Sequence, residues 1–157
     1  NASLVGMLEI FVDADACPVK DEVYDVASRH GVYVFIVANA RMRVPEGAGG
    51  EMVLVKDGPD AADDWIAEHI RPADVAVTAD IPLAARCLEA GARVLGTHGQ
   101  PFTEDSIGAA LATRDLKAEL RESGLVGGGP PPLSQRDRSR FAASLDRLVQ
   151  QGMSELR

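Results

Sequence analysis

Apolar residues fall along this chain in two alternating rhythms. Met7 opens the run Leu8-Glu9-Ile10-Phe11-Val12, which has the length and residue type of a buried strand. From Pro18 through Val19, Val23, Val26 and Ala27 the spacing turns helical, with Pro18 suited to a first turn and Gly31 where a helix stop belongs. Residues 32–38 are β-branched and aromatic and predict a second strand. A loop with Pro45, Gly47, Gly49 and Gly50 leads to a third over 52–55, closed by Gly58-Pro59. Residues 60–70 carry apolar side chains at Ala61, Trp65, Ile66 and Ile70 and acids in the first turn, the mark of a helix. A strand over 73–78, a helix over 82–90 stopped by Gly91 and a strand over 93–95 follow. Near-continuous apolar strands alternating with helices predict an α/β fold, a mostly parallel central sheet covered on both faces.

The last third changes character. Two helices are expected, over 106–122 and 134–151, with apolar positions at Leu111, Leu116, Leu120 and at Phe141, Leu145, Leu148. Between them Gly127-Gly128-Gly129-Pro130-Pro131-Pro132 reads as a linker, because the glycines are permissive and the prolines lack backbone donors. Ser134 with Asp137 three residues on would cap the final helix as a weaker capping box. The organisation predicted is a single domain over 7–157. Residues 1–6 are small and patternless and are read as a remnant foreign to it.

Composition narrows the partners. The chain has 157 residues, 46% hydrophobic, enough for one sizeable core. Sixteen Lys and Arg against 24 Asp and Glu leave a net charge of -8, which argues against binding nucleic acid through a globally basic surface and leaves room for a local basic rim. No apolar run reaches the ~18 residues of a membrane span and no signal peptide is evident, so no membrane partner and a cytoplasmic location are expected. Cys17 and Cys87 are too few for a disulfide framework and lack zinc-type spacing; both are expected to pack as small hydrophobes. His30, His69 and His98 show no metal spacing.

Ligands of open parallel sheets gather beyond the carboxyl ends of the strands, which makes acids at those ends informative. The first strand runs out in Asp13-Ala14-Asp15 and the fourth in Thr78-Ala79-Asp80, while Asp60, Asp63 and Asp64 open the helix between them. Any one of these could be a helix cap or turn former, and Asp60 has the strongest claim to be an N-cap. Together they repel one another unless a cation or a shared proton offsets the charge. Hard oxygens of this kind suit Mg2+ or Mn2+. Asp13, Asp63 and Asp80 are the expected metal ligands, with Asp15 as ligand or orienter. Asn39, Arg41 and Arg43, just past the second strand, are the expected substrate-binding residues, the guanidiniums for phosphate or else paired with nearby acids. Arg136, Arg138 and Arg140 read as a solvated helix start, whereas Arg114, Lys117 and Arg121 have one-face spacing. No GxxxxGK[ST] loop is present, which disfavours an ATPase.

Several motifs, in order, resemble the YaiI/YqxD family of bacterial proteins: Val12-Asp13-Ala14-Asp15-Ala16-Cys17-Pro18, Val37-Ala38-Asn39, Arg43-Val44-Pro45, Asp60-Ala61-Ala62-Asp63, Thr78-Ala79-Asp80-Ile81-Pro82-Leu83-Ala84, Gly128-Gly129-Pro130 and Ser134-Gln135-Arg136-Asp137-Arg138. Thr97-His98-Gly99 departs from relatives that often carry Arg before the glycine. That family is grouped with PIN-like metal-dependent nucleases. The resemblance implies a PIN-like three-layer sandwich with extra C-terminal helices, and an aspartate cluster (Asp13, Asp15, Asp63, Asp80, supported by Asp60) binding divalent metal for phosphodiester cleavage.

Three functions compete. The leading one is a metal-dependent nuclease with RNA or a nucleotide as substrate. The pair Asp13-x-Asp15 also fits the nucleophile and acid of a haloacid-dehalogenase-type phosphatase, which needs a later lysine, and Lys117 is the only one beyond Lys56. The third is a non-catalytic RNA- or nucleotide-binding module of the same fold, in which the acids tolerate substitution.

Overall fold

The computed structural model describes residues 7–15, 17–56, 58, 60–109, 112 and 133–156. Its elements run β1 (Glu9–Asp13), α1 (Lys20–His30), β2 (Tyr33–Ala38), β3 (Gly50–Leu54), α2 (Ala61–His69), β4 (Val75–Val77), α3 (Ile81–Glu89), β5 (Arg93–Leu95), β6 (Pro101–Phe102) and α4 (Gln135–Glu155). Residues 104–109 are also helical. The strands form one sheet in the order β3-β2-β1-β4-β5-β6. All pairings are parallel except β5 with β6.

Alternation along each strand sends side chains to two cores, which makes the molecule a three-layer α/β sandwich. Ile10, Val12, Val34, Ile36, Val75 and Val77 pack with α1 and α4 through residues such as Val23, Phe141 and Leu145. Phe11, Val37, Ala76 and Val94 pack with α2 and α3 through Ile66, Leu83 and Cys87. Each such fully buried aliphatic side chain contributes roughly 1.5 to 3 kcal/mol. Phe11 also stacks on Phe35 with centroids 5.1 Å apart, and both rings meet Trp65.

Helix ends follow local chemistry. Gly31 closes α1 in the left-handed region at φ 66°, its N–H returning to Ala27 and Ser28, as expected of a helix-stop glycine. Ser134 and Asp137 complete a full capping box on α4. Boundaries differ from expectation: β3 covers 50–54 where 52–55 was expected, β4 covers 75–77 where 73–78 was expected, and three further shifts have a visible local cause. Pro18 precedes α1 in a turn, and its carbonyl accepts from Arg138 Nη1 at 2.7 Å. The helix expected from 106 starts at 104, because Thr103 and Ser106 exchange side-chain and backbone hydrogen bonds in a reciprocal cap. The final helix runs one turn past 151, and its Glu155 pairs with Arg93. Arg138 is tied to Pro18 and to Glu22 of α1 and so is no solvated helix start. The Gly/Pro linker, residues 1–6, and Leu111, Arg114, Lys117 and Arg121 lie outside the described residues. Among the described residues no helix is long and apolar enough to cross a membrane.

Candidate active site

The order of strands reverses between the parallel neighbours β1 and β4: β2 and β3 are added on one side, β5 and β6 on the other. Beyond the carboxyl ends of such a strand pair a crevice forms because the two connections leave in opposite directions. Asp13 ends β1, and Thr78 and Asp80 follow β4, so both acid-bearing ends meet at this crevice.

Thr78 organises it. Its hydroxyl donates to Asp13 Oδ2 at 2.8 Å and accepts the backbone N–H of Asp80 at 2.9 Å. One buried side chain thereby sets the Asp13 rotamer and the turn carrying Asp80. Asp80 is the N-cap of α3, its Oδ1 accepting from Leu83 N at 2.9 Å, with Pro82 in the first turn. Among the described residues the second oxygens, Asp13 Oδ1 and Asp80 Oδ2, take no hydrogen bond. Asp15 reaches across to β2: both of its oxygens accept the N–H of Asn39 at 3.0 Å. That clamp makes Asp15 a positioning residue for the chain leaving β2.

Asp63 completes the group from the first turn of α2. Burial, then the carboxylates of Asp80, Asp13 and Asp60, push it from 3.8 up to about 6, against the weaker pull of Arg86. Asp13 is raised as well, by burial first and then by Asp80 and Asp15, with the Thr78 hydrogen bond opposing. Asp13 and Asp80 therefore both act on Asp63, and Asp80 acts on Asp13. Asp60 occupies the N-cap position of α2 but makes no side-chain cap bond, contrary to its reading as a capping residue. Asp64 turns away to Arg86 of α3 at 2.8 Å.

The donors fit a hard divalent cation in kind, and the arrangement limits how it would be held. Among the described residues no group of three or more His, Cys, Asp or Glu is disposed to hold a metal ion. The two unengaged oxygens on Asp13 and Asp80 suit instead the manner of Mg2+, which binds through one or two carboxylates and keeps several waters. Both thiols are buried, and burial raises each, Cys87 up to about 12, so neither is a ready nucleophile or metal ligand. His30 is bonded to Asp146 of α4 at 2.7 Å, and His69 lies flat on Trp65.

Arg41 and Arg43 are exposed and stand apart from this cluster. They line a groove on the β3 side of the sheet to which no aspartate contributes. Thr78 is the site residue that sequence reasoning passed over. Its signal is a hydroxyl ending an apolar strand two residues before an acid.

A model of the family described as "Uncharacterized BCR, YaiI/YqxD family" matches residues 11–151, a span that takes in every residue of the crevice. The chain belongs to this YaiI/YqxD family. It is 59% identical over 144 residues to a UPF0178 protein of Parvibaculum lavamentivorans, covering 92% of this chain and 95% of that one. It is 57% identical over 140 residues to a UPF0178 protein of Rhodopseudomonas palustris strain BisB5, covering 89% and 85%. A UPF0178 protein of Paramagnetospirillum magneticum is 55% identical over 145 residues, covering 92% and 96%. No solved structure matches the chain. Membership of the YaiI/YqxD family thus spans all but the ends of β1 and α4, and the chemistry rests on the crevice.

Proposed function

We propose that this YaiI/YqxD protein is a divalent-metal-dependent phosphodiesterase acting on RNA. The reading rests on one observation: β1 and β4 bring Asp13 and Asp80 to the switch point of a parallel sheet, and burial first, then these two carboxylates, raise Asp63 of α2 to about 6. Uncompensated, such a cluster costs folding free energy, so a bound cation or a positively polarised ligand is what it is built to receive.

Asp13 and Asp80 would hold Mg2+ or Mn2+ through their unengaged oxygens, with Asp63 beside them. Such an ion supplies, when bound, charge for the scissile phosphate and a lowered pKa for an attacking water. The chain's own contributions are concrete. Thr78 keeps its proton on Oγ1 toward Asp13 Oδ2 and so presents Oδ1 to the crevice. Asp63, half-buried, gives up its proton near pH 6 and is a carboxylate at neutral pH. Asp15 fixes Asn39 at the rim, and Arg41 and Arg43 follow within a few residues as phosphate-binding groups.

Cleavage tests this directly. With Mn2+ the protein should cut a single-stranded RNA oligonucleotide, and Asp13→Asn, Asp63→Asn or Asp80→Asn should each abolish cutting. Asn is the right replacement at position 80, since it caps a helix as well as Asp does, so loss of activity would not reflect loss of α3. RNA and DNA left uncut by wild-type protein would overturn the proposal in favour of a binding module, and a beryllium fluoride adduct on Asp13 would mark a phosphatase instead.

A further inference from the structure

Beyond the β1 side of the crevice, edge strand β3 and the segment that links it to β2 bound a groove of about 600 Å³, lined by Arg41, Met42, Arg43, Met52 and Leu54. We propose that it holds one unpaired nucleotide of a single-stranded polynucleotide, the base against Met42, Met52 and Leu54 and the phosphates on Arg41 and Arg43. The proposal rests on the phosphodiesterase reading for its place next to the scissile bond and on the groove's own chemistry for the rest.

The floor is apolar without being closed. Met42 and Met52 pack partly on the core and stay half-exposed, as does Leu54. Two thioethers side by side are soft and polarisable, adapt to ligands of varied shape and make favourable contacts with aromatic rings. The rim is cationic. Arg29, Arg71, Arg86, Arg93 and Arg138 each face a carboxylate. Among the described residues Arg41 and Arg43, like Arg136, Arg140 and Arg147 of α4, have no such partner, and of these five only Arg41 and Arg43 line the groove. In a chain of net charge -8 two exposed guanidiniums over an apolar floor complement a phosphorylated ring.

Placement links the groove to the aspartates. Asn39 is held at the crevice by Asp15, and Arg41 lies two residues on, at most about 7 Å of chain away. A strand bound at Asp13 and Asp80 that runs past Asn39 would continue over Arg41. A base already paired and stacked in a duplex cannot turn its face to such a floor, whereas a single strand can. The cavity on the other side of β3 is unsuited to the same ligand: Asp64 and Glu68 line it, and its Trp65 is covered by His69 with ring centroids 3.9 Å apart.

Equilibrium binding by the full chain in EDTA, where nothing is cut, tests the groove with four probes: an RNA hexamer, its duplex, an abasic hexamer of equal charge and a hexaglutamate peptide. The hexamer should bind about tenfold more tightly than the other three, the order of one base contact. Met52→Ala should weaken the hexamer and leave the abasic strand unchanged, and Met42→Ala provides the same reading should Met52→Ala unfold. Replacing Arg41 and Arg43 together by Ala should weaken both strands and reduce the salt slope by about 1.4. Equal binding of the abasic strand, the duplex or the peptide would overturn the inference, as would methionine variants that keep the full preference for bases. Hexamer binding at the groove with no cleavage under Mn2+ would sink the phosphodiesterase reading alone. Cleavage with groove variants that bind normally would sink the groove alone.

Discussion

Asp63 and Asp13 carry the electrostatic cost of the crevice, and that cost is measurable as a pH dependence. Asp63 titrates near 3.8 when unfolded and at about 6 in the fold, so between those values the folded chain binds more protons than the unfolded one. Stability therefore falls as pH rises through that window, and the penalty is fully present above it. Asp13 and Asp74, raised chiefly by burial, act in the same direction. Thermal melts in EDTA should show a melting temperature that declines from pH 5 to pH 7, with Asp63→Asn flattening the decline and raising the melting temperature at pH 7.5. A variant that melts lower at pH 7.5 with an unchanged slope would contradict the repulsion. Residues of this kind were legible in the sequence because strand ends and acids coincide at Asp13 and Asp80. Thr78 was not, because a single hydroxyl gains its role only when β4 lies beside β1, a pairing of residues 65 apart in sequence.

At the scale of elements, α4 is placed by a close approach. A Cβ on Gly152 would lie 2.5 Å from Leu8 Cδ2 and 2.8 Å from the carbonyl oxygen of Ala73, a residue itself held at φ 75°. Helix propensity alone would make Gly152→Ala stabilising by about 1 kcal/mol. Overpacking against a backbone oxygen costs about 1 to 3 kcal/mol and wins. Urea unfolding should therefore show Gly152→Ala destabilised, by up to about 2 kcal/mol; a gain in stability would mean that α4 does not approach Ala73 this closely. The parallel strands and α1 to α4 announced themselves through period and caps. Strand β6 did not: Pro101-Phe102 is too short for a period to register, and its antiparallel pairing with β5 is a tertiary event. Clamps between elements were equally invisible, since nothing in the sequence pairs Arg138 with Glu22 or His30 with Asp146.

Across the whole molecule, two covered faces leave one end of the sheet for chemistry. Both cores are apolar and closed, α4 braces the face of α1, and the carboxyl ends of β1 and β4 collect the acids. Net charge of -8 adds a diffuse repulsion that the proposed cation would offset locally. Asp13 and Asp80 are proposed to act together on one divalent ion. Titration calorimetry of Mn2+ into the intact protein at pH 7.5 tests it most directly. One saturable site is expected in the wild type, lost in Asp13→Asn and in Asp80→Asn and retained in Asp64→Asn, because the Asp64 carboxylate faces Arg86. Wild-type protein with no saturable Mn2+ heat, or a site that survives both Asp13→Asn and Asp80→Asn, would contradict it.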